Sequence, residues 1–310
     1  MKVKIYPGTI STNPTIPLPP SKSVAHRAII CASLANGISK ISSIEYSEDI
    51  VATIQAAQEL GAIISKQNDS LIIQNDGVIK NTTHEINCNE SASTLRFFIP
   101  IYSLLNQNST FIGKKSLFSR PMSIYEDLFK KMNLMFVSHQ DYISIHGPLK
   151  GGHLTICGNI SSQFISGLFF ALPLCQENSI LEVTDKIESY PYILLTIHLL
   201  KQFHINIEII DKNKFFIAGQ QKYQSNDLVI EGDFSQFSYL ALLGILNQPV
   251  TFTNINFYSF QGDKIILDIF KELNVKRIET KESITLFPSL IPSFTFDVSN
   301  YPDITLALCI

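Results

Sequence analysis

A segment of about 70 residues recurs along this chain, and the recurrence constrains the fold more than any single motif. Each copy contains an amphipathic helix that ends in a short turn and is followed by a strand rich in β-branched residues. Aligning these helices on Leu60, Met132, Phe203 and Leu273 gives separations of 72, 71 and 70 residues. A second strand follows after a short polar link, which is typical of a hairpin.

The other half of each copy is a strand, a polar loop and an apolar helix, as in TICGNISSQFISGLFFALPL. The whole copy therefore reads strand, helix, strand, helix, strand, strand. Four copies fit between residues 20 and 295, and a fifth begins near Ser293 and stops at Ile310. Repeats this long are domain building blocks, so we predict an α/β fold made of α+β repeats. Chance spacing is the alternative, and the match of four helices argues against it.

Length and composition limit the class of protein. The 310 residues exceed one ordinary core and predict two domains. A net charge of −3 provides no general basic field for nucleic acid or an anionic membrane. The longest apolar stretch, residues 164–175, is too short to cross a bilayer, and no signal peptide is evident. The five scattered cysteines predict reduced thiols in a cytoplasmic protein rather than disulfides or a metal site.

The polar loops before the apolar helices carry side chains suited to anions. The loops read SKSVAHR, NESASTLR, SSQ, GDFSQ and NYPD. Helix N-termini expose unpaired N–H groups, and serine, glutamine, lysine and arginine suit phosphate and carboxylate oxygens. Lys22 and Arg27 lie in the first loop, and Arg120 precedes the amphipathic helix of the second copy. The alternative is that Ser21 or Ser23 is only a helix cap and the cations are solvated.

These motifs resemble the EPSP synthase family. PSKSVAHR, NESASTLRF, SRPMS, SSQF, SYPY, GDFSQFSY, QGD and NYPD occur in that family's order and spacing, over essentially the whole chain. The resemblance implies transfer of the enolpyruvyl group from phosphoenolpyruvate to the 5-hydroxyl of shikimate 3-phosphate, with release of phosphate. This is a step of the shikimate pathway to chorismate and the aromatic amino acids.

The resemblance also implies the two-domain enolpyruvyl transferase fold, with ligands bound between the domains. It implies no metal and no organic cofactor. The expected partners are the two small-molecule substrates, without nucleic acid or membrane. The full-length protein is expected to be a cytoplasmic monomer.

Site residues follow from the resemblance position by position. The implied catalytic residues are Asp303, as proton acceptor, and Lys22, as a candidate proton donor. The implied ligands of shikimate 3-phosphate are Lys22, Ser23, Arg27, Ser161, Ser162, Gln163, Ser189, Tyr192 and Asp303. The implied ligands of phosphoenolpyruvate are Lys22, Ala92, Arg120 and Gln163. Arg96 also matches a family arginine, with a structural role left open. Ser189 and Tyr192 could instead be a helix cap and a packing aromatic.

Two other functions stay open at this point. The enolpyruvyl transferase that acts on UDP-N-acetylglucosamine shares the fold, but it has Lys-Asn where this chain has Lys22-Ser23. It also uses a loop cysteine, which GKKSLFSRP lacks. The second alternative is a protein that binds a phosphorylated ligand without turnover. The intact Lys22, Arg120, Gln163 and Asp303 argue against such decay.

The family's chain path predicts the domain boundaries. Residues 19–224 would form a complete domain of three copies, and residues 1–18 with 225–310 an incomplete second one. Because the family has six copies, we expect a chain truncated at its C-terminal end, and a chain truly ending at Ile310 to be inactive. Ala92 lies where glyphosate-sensitive members carry glycine, which implies reduced sensitivity to glyphosate.

Overall fold

The computed structural model of the chain describes residue 4, residues 13–80 and residues 85–310. The elements of the first two copies are β1 (Thr15–Pro17), α1 (Lys22–Leu34), β2 (Asn36–Ser42), α2 (Glu48–Glu59), β3 (Ile63–Gln67), β4 (Ser70–Asp76), β5 (Glu85–Asn87), α3 (Ala92–Tyr102), β6 (Asn108–Ile112), α4 (Lys115–Phe118), α5 (Ser123–Lys131), β7 (Met135–Ser138) and β8 (Tyr142–His146).

The rest of the chain continues the same order. Its elements are β9 (Gly152–Cys157), α6 (Ser162–Ala171), β10 (Ser179–Thr184), α7 (Tyr190–Gln202), β11 (Ile207–Asp211), β12 (Lys214–Ile217), β13 (Leu228–Val229), α8 (Phe234–Leu246), β14 (Val250–Thr253), α9 (Ile265–Glu272), β15 (Arg277–Glu279), β16 (Ser283–Leu286) and α10 (Thr305–Leu308). Short 3-10 turns lie at Leu172–Leu174, Gly262–Lys264 and Pro302–Ile304. The repeated α/β pattern predicted from the spacing is confirmed.

Each copy contributes to a four-stranded sheet of one topology. The strand orders are β13-β2-β4-β3, β5-β6-β8-β7, β9-β10-β12-β11 and β1-β14-β16-β15. In every sheet the first pair is parallel and the other two pairs are antiparallel. A hairpin supplies the antiparallel strands, whereas a parallel pair needs a crossover, here a helix in the second and third copies. The first and fourth copies instead receive their parallel strand from elsewhere in the chain.

The chain divides into two compact units. The larger unit comprises residues 20–230 and 260–262, and the smaller unit comprises the described part of 1–19 with 231–259 and 263–310. The division falls after residue 230, six residues beyond the boundary predicted at 224, because β13 pairs with β2. The backbone N–H of Ile230 then donates to the carbonyl of Ser42 at 2.9 Å. Of the segment predicted as 1–18, only residue 4 and residues 13–18 lie within the described part.

The larger unit is built around a closed ring of helices. α1 packs against α2, α2 against α3, α3 against α6, α6 against α7, and α7 against α1. Apolar faces of all five helices meet inside the ring, where the Phe97 and Phe170 rings lie edge to face at 5.4 Å. The burial of large aromatic side chains of this kind is the main favourable term in folding. The ring is the scaffold on which the polar loops sit.

The smaller unit has a separate core beneath the sheet β1-β14-β16-β15. Phe237 lies at its centre, with ring centroids 5.3 Å from Phe252 and 6.1 Å from Phe270. The longest helices of the described ranges have 13 residues, and none has the length and hydrophobicity that a bilayer crossing requires.

Candidate active site

The N-termini of α1 and α2 meet at one end of the helix ring. Lys22, the first residue of α1, places its Nζ 2.8 Å from Oδ2 of Asp49 in the first turn of α2. In the same turn of α2, Glu48 Oε2 accepts from Asn89 Nδ2 at 3.1 Å. Asn89 lies in the loop that leads into α3. These contacts join the starts of three helices.

Hydrogen bonds between the first two turns of neighbouring helices join the other helix starts around the ring. Gln163 Nε2, at the start of α6, donates to Ser93 Oγ at the start of α3, at 2.9 Å. Ser166 of α6 bonds to Thr196 of α7, with 2.8 Å between the hydroxyl oxygens. Arg27 Nε of α1 donates to the same Thr196 hydroxyl at 2.8 Å, which closes the circle. The five N-termini therefore point to the same end, where their partial positive charges favour an anion.

Serine side chains cap some of these helices and leave others open. Ser47, Ser91 and Ser161 accept from backbone N–H groups of α2, α3 and α6, respectively. Ser21 precedes α1, but its hydroxyl donates to Gln261 Oε1 at 3.0 Å and makes no cap. Ser189 precedes α7 with a left-handed φ of 55° and also makes no side-chain cap. Both serines therefore occupy the N-cap position, but neither hydroxyl caps its helix.

Arg27 is a buried cation held by neutral groups. Its side chain is 2% exposed, and Nη1 donates to the carbonyl of Ser23 at 2.8 Å. The guanidinium also lies 5.1 Å from the Phe97 ring and 5.9 Å from the Tyr192 ring. Burial lowers the pKa of Arg27 to about 10, so the group stays charged at neutral pH. No carboxylate of the described residues pairs with it, and a buried charge without a counter-charge favours the binding of an anion.

Lys22 differs from Arg27 in its surroundings. Its side chain is 53% exposed and forms an ion pair with Asp49. Ser23, the next residue, is half-buried, and its backbone carbonyl accepts a hydrogen bond from Arg27. The first loop thus offers one solvated cation and one buried cation, separated by little more than a helical turn.

The second loop places two arginines near each other. Arg96 lies in the second turn of α3 at 8% exposure, and Arg120 is an exposed residue after α4. Burial lowers the pKa of Arg96, and the charge of Arg120 adds to the effect while Tyr125 opposes it. Ala92, the first residue of α3, is buried about one turn before Arg96 on the same helix.

The third loop supplies a serine pair and an amide. Ser161 precedes α6, Ser162 is its buried first residue, and Gln163 is half-buried. The amide of Gln163 accepts from Arg96 Nη1 at 2.9 Å and donates to Ser93 Oγ at 2.9 Å. The second and third loops are therefore linked directly through side chains.

The remaining implied residues fall in two places. Ser189 and Tyr192 begin α7 in the larger unit, and Tyr192 lies over the Arg27 guanidinium. Asp303 belongs to the smaller unit, in the 3-10 turn Pro302–Ile304, where it is exposed. Its backbone carbonyl accepts from the Tyr239 hydroxyl at 3.1 Å. The larger unit thus carries every implied ligand except Asp303.

A buried polar chain behind the loops was not predicted from the sequence. His26 Nδ1 lies 2.7 Å from Thr53 Oγ1, which lies 2.7 Å from Thr94 Oγ1, and Thr94 Oγ1 donates to Ser91 Oγ at 2.7 Å. Burial lowers the pKa of His26 to about 3, so the imidazole is neutral at physiological pH. The chain ties α1, α2 and α3 together beneath the anion-facing end. Only the isolated threonines in otherwise apolar helical runs hinted at it.

Metal binding has no evident site in this part of the molecule. Among the residues that the structure describes, no group of three or more His, Cys, Asp or Glu side chains is arranged to hold an ion. Beside Glu48 and Asp49, hydrogen-bond donors and cations converge at this end of the ring, and such groups suit phosphate and carboxylate oxygens.

Sequence comparisons agree with this chemistry. The family model of EPSP synthase (3-phosphoshikimate 1-carboxyvinyltransferase) matches residues 9–310. The 3-phosphoshikimate 1-carboxyvinyltransferase of Clostridium kluyveri is 39% identical over 306 residues, covering 96% of this chain and 72% of that protein. The enzyme of the same name from Clostridioides difficile is 36% identical over 322 residues, covering 99% of this chain and 73% of that protein.

Solved structures share the fold. EPSP synthase from Acinetobacter baumannii superimposes with a TM-score of 0.79 at 18% identity, covering 97% of this chain and 71% of that one. The enolpyruvyl transferase NikO from Streptomyces tendae gives a TM-score of 0.69 at 11% identity, covering 90% and 66%. At these identities the likeness concerns architecture alone.

Proposed function

The chain belongs to the EPSP synthase family, and from that premise we propose that it transfers the enolpyruvyl group of phosphoenolpyruvate to the 5-hydroxyl of shikimate 3-phosphate. The second product is inorganic phosphate. The reaction makes the protein a transferase of the shikimate pathway, which leads to aromatic amino acids.

One observation carries the proposal: two buried arginines and five helix N-termini gather at one end of the larger unit, without a carboxylate on either arginine among the described residues. Both substrates carry a phosphate and a carboxylate, so they repel one another when brought together. Fixed cations and oriented N–H groups in a poorly solvated site offset that repulsion. They act without reorganising as the reaction proceeds.

The larger unit supports the following division of ligands. Shikimate 3-phosphate is held by Ser23, Arg27, the pair Ser161 and Ser162, and the start of α7. Phosphoenolpyruvate is held by Arg120 and the loop that begins α3. Lys22 and Gln163 are assigned to both substrates, because each lies next to loops of two copies.

The chemistry is an addition followed by an elimination. The 5-hydroxyl attacks C2 of phosphoenolpyruvate while C3 gains a proton, and the resulting tetrahedral adduct loses phosphate and a C3 proton to restore the double bond. A carboxylate can accept the hydroxyl proton, and we assign that role to Asp303. We assign to Lys22 the role of donating the proton that C3 gains. Its ammonium group is a proton donor at the start of α1.

We also propose which partners the protein binds and where it is located. The net charge of −3 supports small anionic substrates over nucleic acid, because the chain carries no general basic field. We infer a cytoplasmic protein that is monomeric at full length.

Phosphate release tests the proposed function. The full-length protein is incubated with phosphoenolpyruvate and shikimate 3-phosphate, and calorimetry measures binding of shikimate 3-phosphate in parallel. We expect binding, and phosphate release that needs both substrates and stops when UDP-N-acetylglucosamine replaces shikimate 3-phosphate. Release with the sugar nucleotide would favour the related transferase. A chain that binds neither phosphorylated substrate would contradict the proposal.

A further inference from the structure

Arg96 and Gln163 form a buried pair at the junction of the second and third loops. Nη1 of Arg96 donates to Oε1 of Gln163 at 2.9 Å, and Nη2 donates to the carbonyl of Pro121 at 3.3 Å. The guanidinium Cζ lies over the Phe164 ring, 4.7 Å from its centre. Arg96 is 8% exposed, and each of its Nη atoms already donates to a protein acceptor.

This pair fixes the orientation of the Gln163 amide. A guanidinium only donates hydrogen bonds, so the carbonyl end of the amide must face Arg96. The NH₂ end consequently faces the other way, where one N–H donates to Ser93 Oγ at 2.9 Å. No described residue accepts the second N–H. Gln163 therefore presents a hydrogen-bond donor to a group that lies beyond its NH₂ end.

The backbone around Arg96 is held with little freedom. The Tyr125 hydroxyl is shared between the carbonyl of Arg96 at 2.7 Å and the carbonyl of Phe164 at 3.1 Å. Gly167 lets α3 and α6 approach this closely, because a side chain there would collide with the Arg96 carbonyl and the Tyr125 hydroxyl. Arg96 is thus anchored at its backbone, its ring contact and both Nη atoms.

We propose that Arg96 is a positioning residue that sets the Gln163 amide with its N–H group toward the bound anions, rather than a substrate ligand. The assignment rests on the proposed function for the identity of the anions. In this role Arg96 affects binding by orienting Gln163, and it makes no direct charge contact with the anion.

A double-mutant cycle separates the two roles. Calorimetry measures shikimate 3-phosphate binding to the whole chain and to Arg96→Met, Gln163→Ala and the double variant. We expect each single change to weaken binding roughly tenfold. The double variant should also lose only about tenfold, because the same interaction is removed twice. Losses that multiply to about a hundredfold would overturn the proposal.

Two further variants test the role of Arg96 and provide a control. Arg96→Lys keeps a donor on a side chain long enough to approach Gln163, so we expect binding within about threefold of wild type. A loss as large as in Arg96→Met would overturn positioning, and this variant decides the matter if Arg96→Met does not fold. Arg277→Met is the matched control, because Arg277 pairs with Glu279 on a strand of the smaller unit.

A measurement without ligand separates this proposal from the proposed function. The Gln163 side-chain amide should be ordered on the nanosecond scale by NMR in the wild type and in Arg277→Met, and mobile in Arg96→Met. An amide that stays ordered in Arg96→Met contradicts positioning by Arg96. A wild type with an ordered amide but no affinity for shikimate 3-phosphate contradicts the proposed function instead.

Discussion

Arg27 and Thr196 are joined by a hydrogen bond of 2.8 Å from the guanidinium Nε to the hydroxyl oxygen. Thr196 donates in turn to the carbonyl of Tyr192 at 2.8 Å, one turn earlier on α7. The first and third copies of the repeat are thereby linked through a buried cation. The orientation of Arg27 is set by a helix far from it in sequence.

Replacing Arg27 tests that buried cation. Arg27→Ala should weaken shikimate 3-phosphate binding by about 1.5 to 3 kcal/mol, the usual range for hydrogen bonds to charged groups. Thr196→Val, which keeps the shape but removes the hydroxyl, should give a smaller loss in the same direction. Calorimetry on the three proteins checks both values. An unchanged affinity in Arg27→Ala would exclude Arg27 from the site.

Replacing Lys22 should give a loss that depends on salt. Lys22 is exposed, so its attraction for an anion is screened as ionic strength rises, whereas that of Arg27 is protected by burial. Lys22→Met should weaken binding at low salt by about 1.5 to 3 kcal/mol and by clearly less in 0.5 M salt, where the Debye length is roughly 4 to 5 Å. Its unfolding free energy should change by less than about 1 kcal/mol, as for exposed ion pairs. Equal affinity for variant and wild type at low salt contradicts the role.

His26 should make stability fall in acid. Its pKa in the folded protein is about 3, against 6.5 as the ordinary value, because burial disfavours the charged ring. Above pH 6.5 both states are neutral and stability is full. Between pH 6.5 and about 3 only the unfolded state takes up the proton, so the unfolding free energy should fall by up to about 1.4 kcal/mol per pH unit.

Denaturant unfolding at several pH values checks the His26 prediction. His26→Asn can keep a hydrogen bond to Thr53 without a titrating group, so its stability should depend less on pH over this window. His139→Asn is the matched control, because it makes the same substitution at a histidine whose side chain is exposed. A His26→Asn slope equal to that of the wild type would show that the ring does not carry the effect.

The repeated fold could be predicted because its signal is local. Helices and hairpins follow from hydrophobic periodicity and turn residues within each copy. The pairing of β13 with the sheet of the first copy could not be predicted in this way. Leu228 and Val229 pair with Ile41 and Ser42, which are far away in the sequence. Pairing of a two-residue strand depends on tertiary packing, which no local pattern encodes.

The cations of the site could be predicted from their loops, but their partners could not. Thr196 stands alone in an apolar helical run, and its contact with Arg27 depends on the packing of α7 against α1. Asp49 likewise looks like a favourable first-turn acid of α2, and only the structure shows it beside Lys22. These partners are set by contacts between copies of the repeat. The sequence spacing within one copy does not predict such contacts.

Asp303 should serve the chemical step more than binding. In the full-length enzyme, Asp303→Asn keeps the size of the side chain but removes the base, so kcat should fall by roughly two to four decades while KM for both substrates changes little. Phosphate release under saturating substrate measures the change. Asp268→Asn is a suitable control, because Asp268 is another exposed carboxylate of the smaller unit. Turnover of Asp303→Asn at the wild-type rate would refute the role of base.

Ala92 should reduce sensitivity to glyphosate. It is the buried first residue of α3, at the helix start that we assign to phosphoenolpyruvate. Glyphosate is longer than phosphoenolpyruvate, and crowding by one methyl group in a packed site costs about 1 to 3 kcal/mol. Ala92→Gly should therefore lower the inhibition constant of glyphosate by roughly one to two decades, with a smaller change in KM for phosphoenolpyruvate. Steady-state inhibition at fixed shikimate 3-phosphate measures both constants. Equal inhibition constants for Ala92→Gly and the wild type would show that the methyl group does not reach the inhibitor.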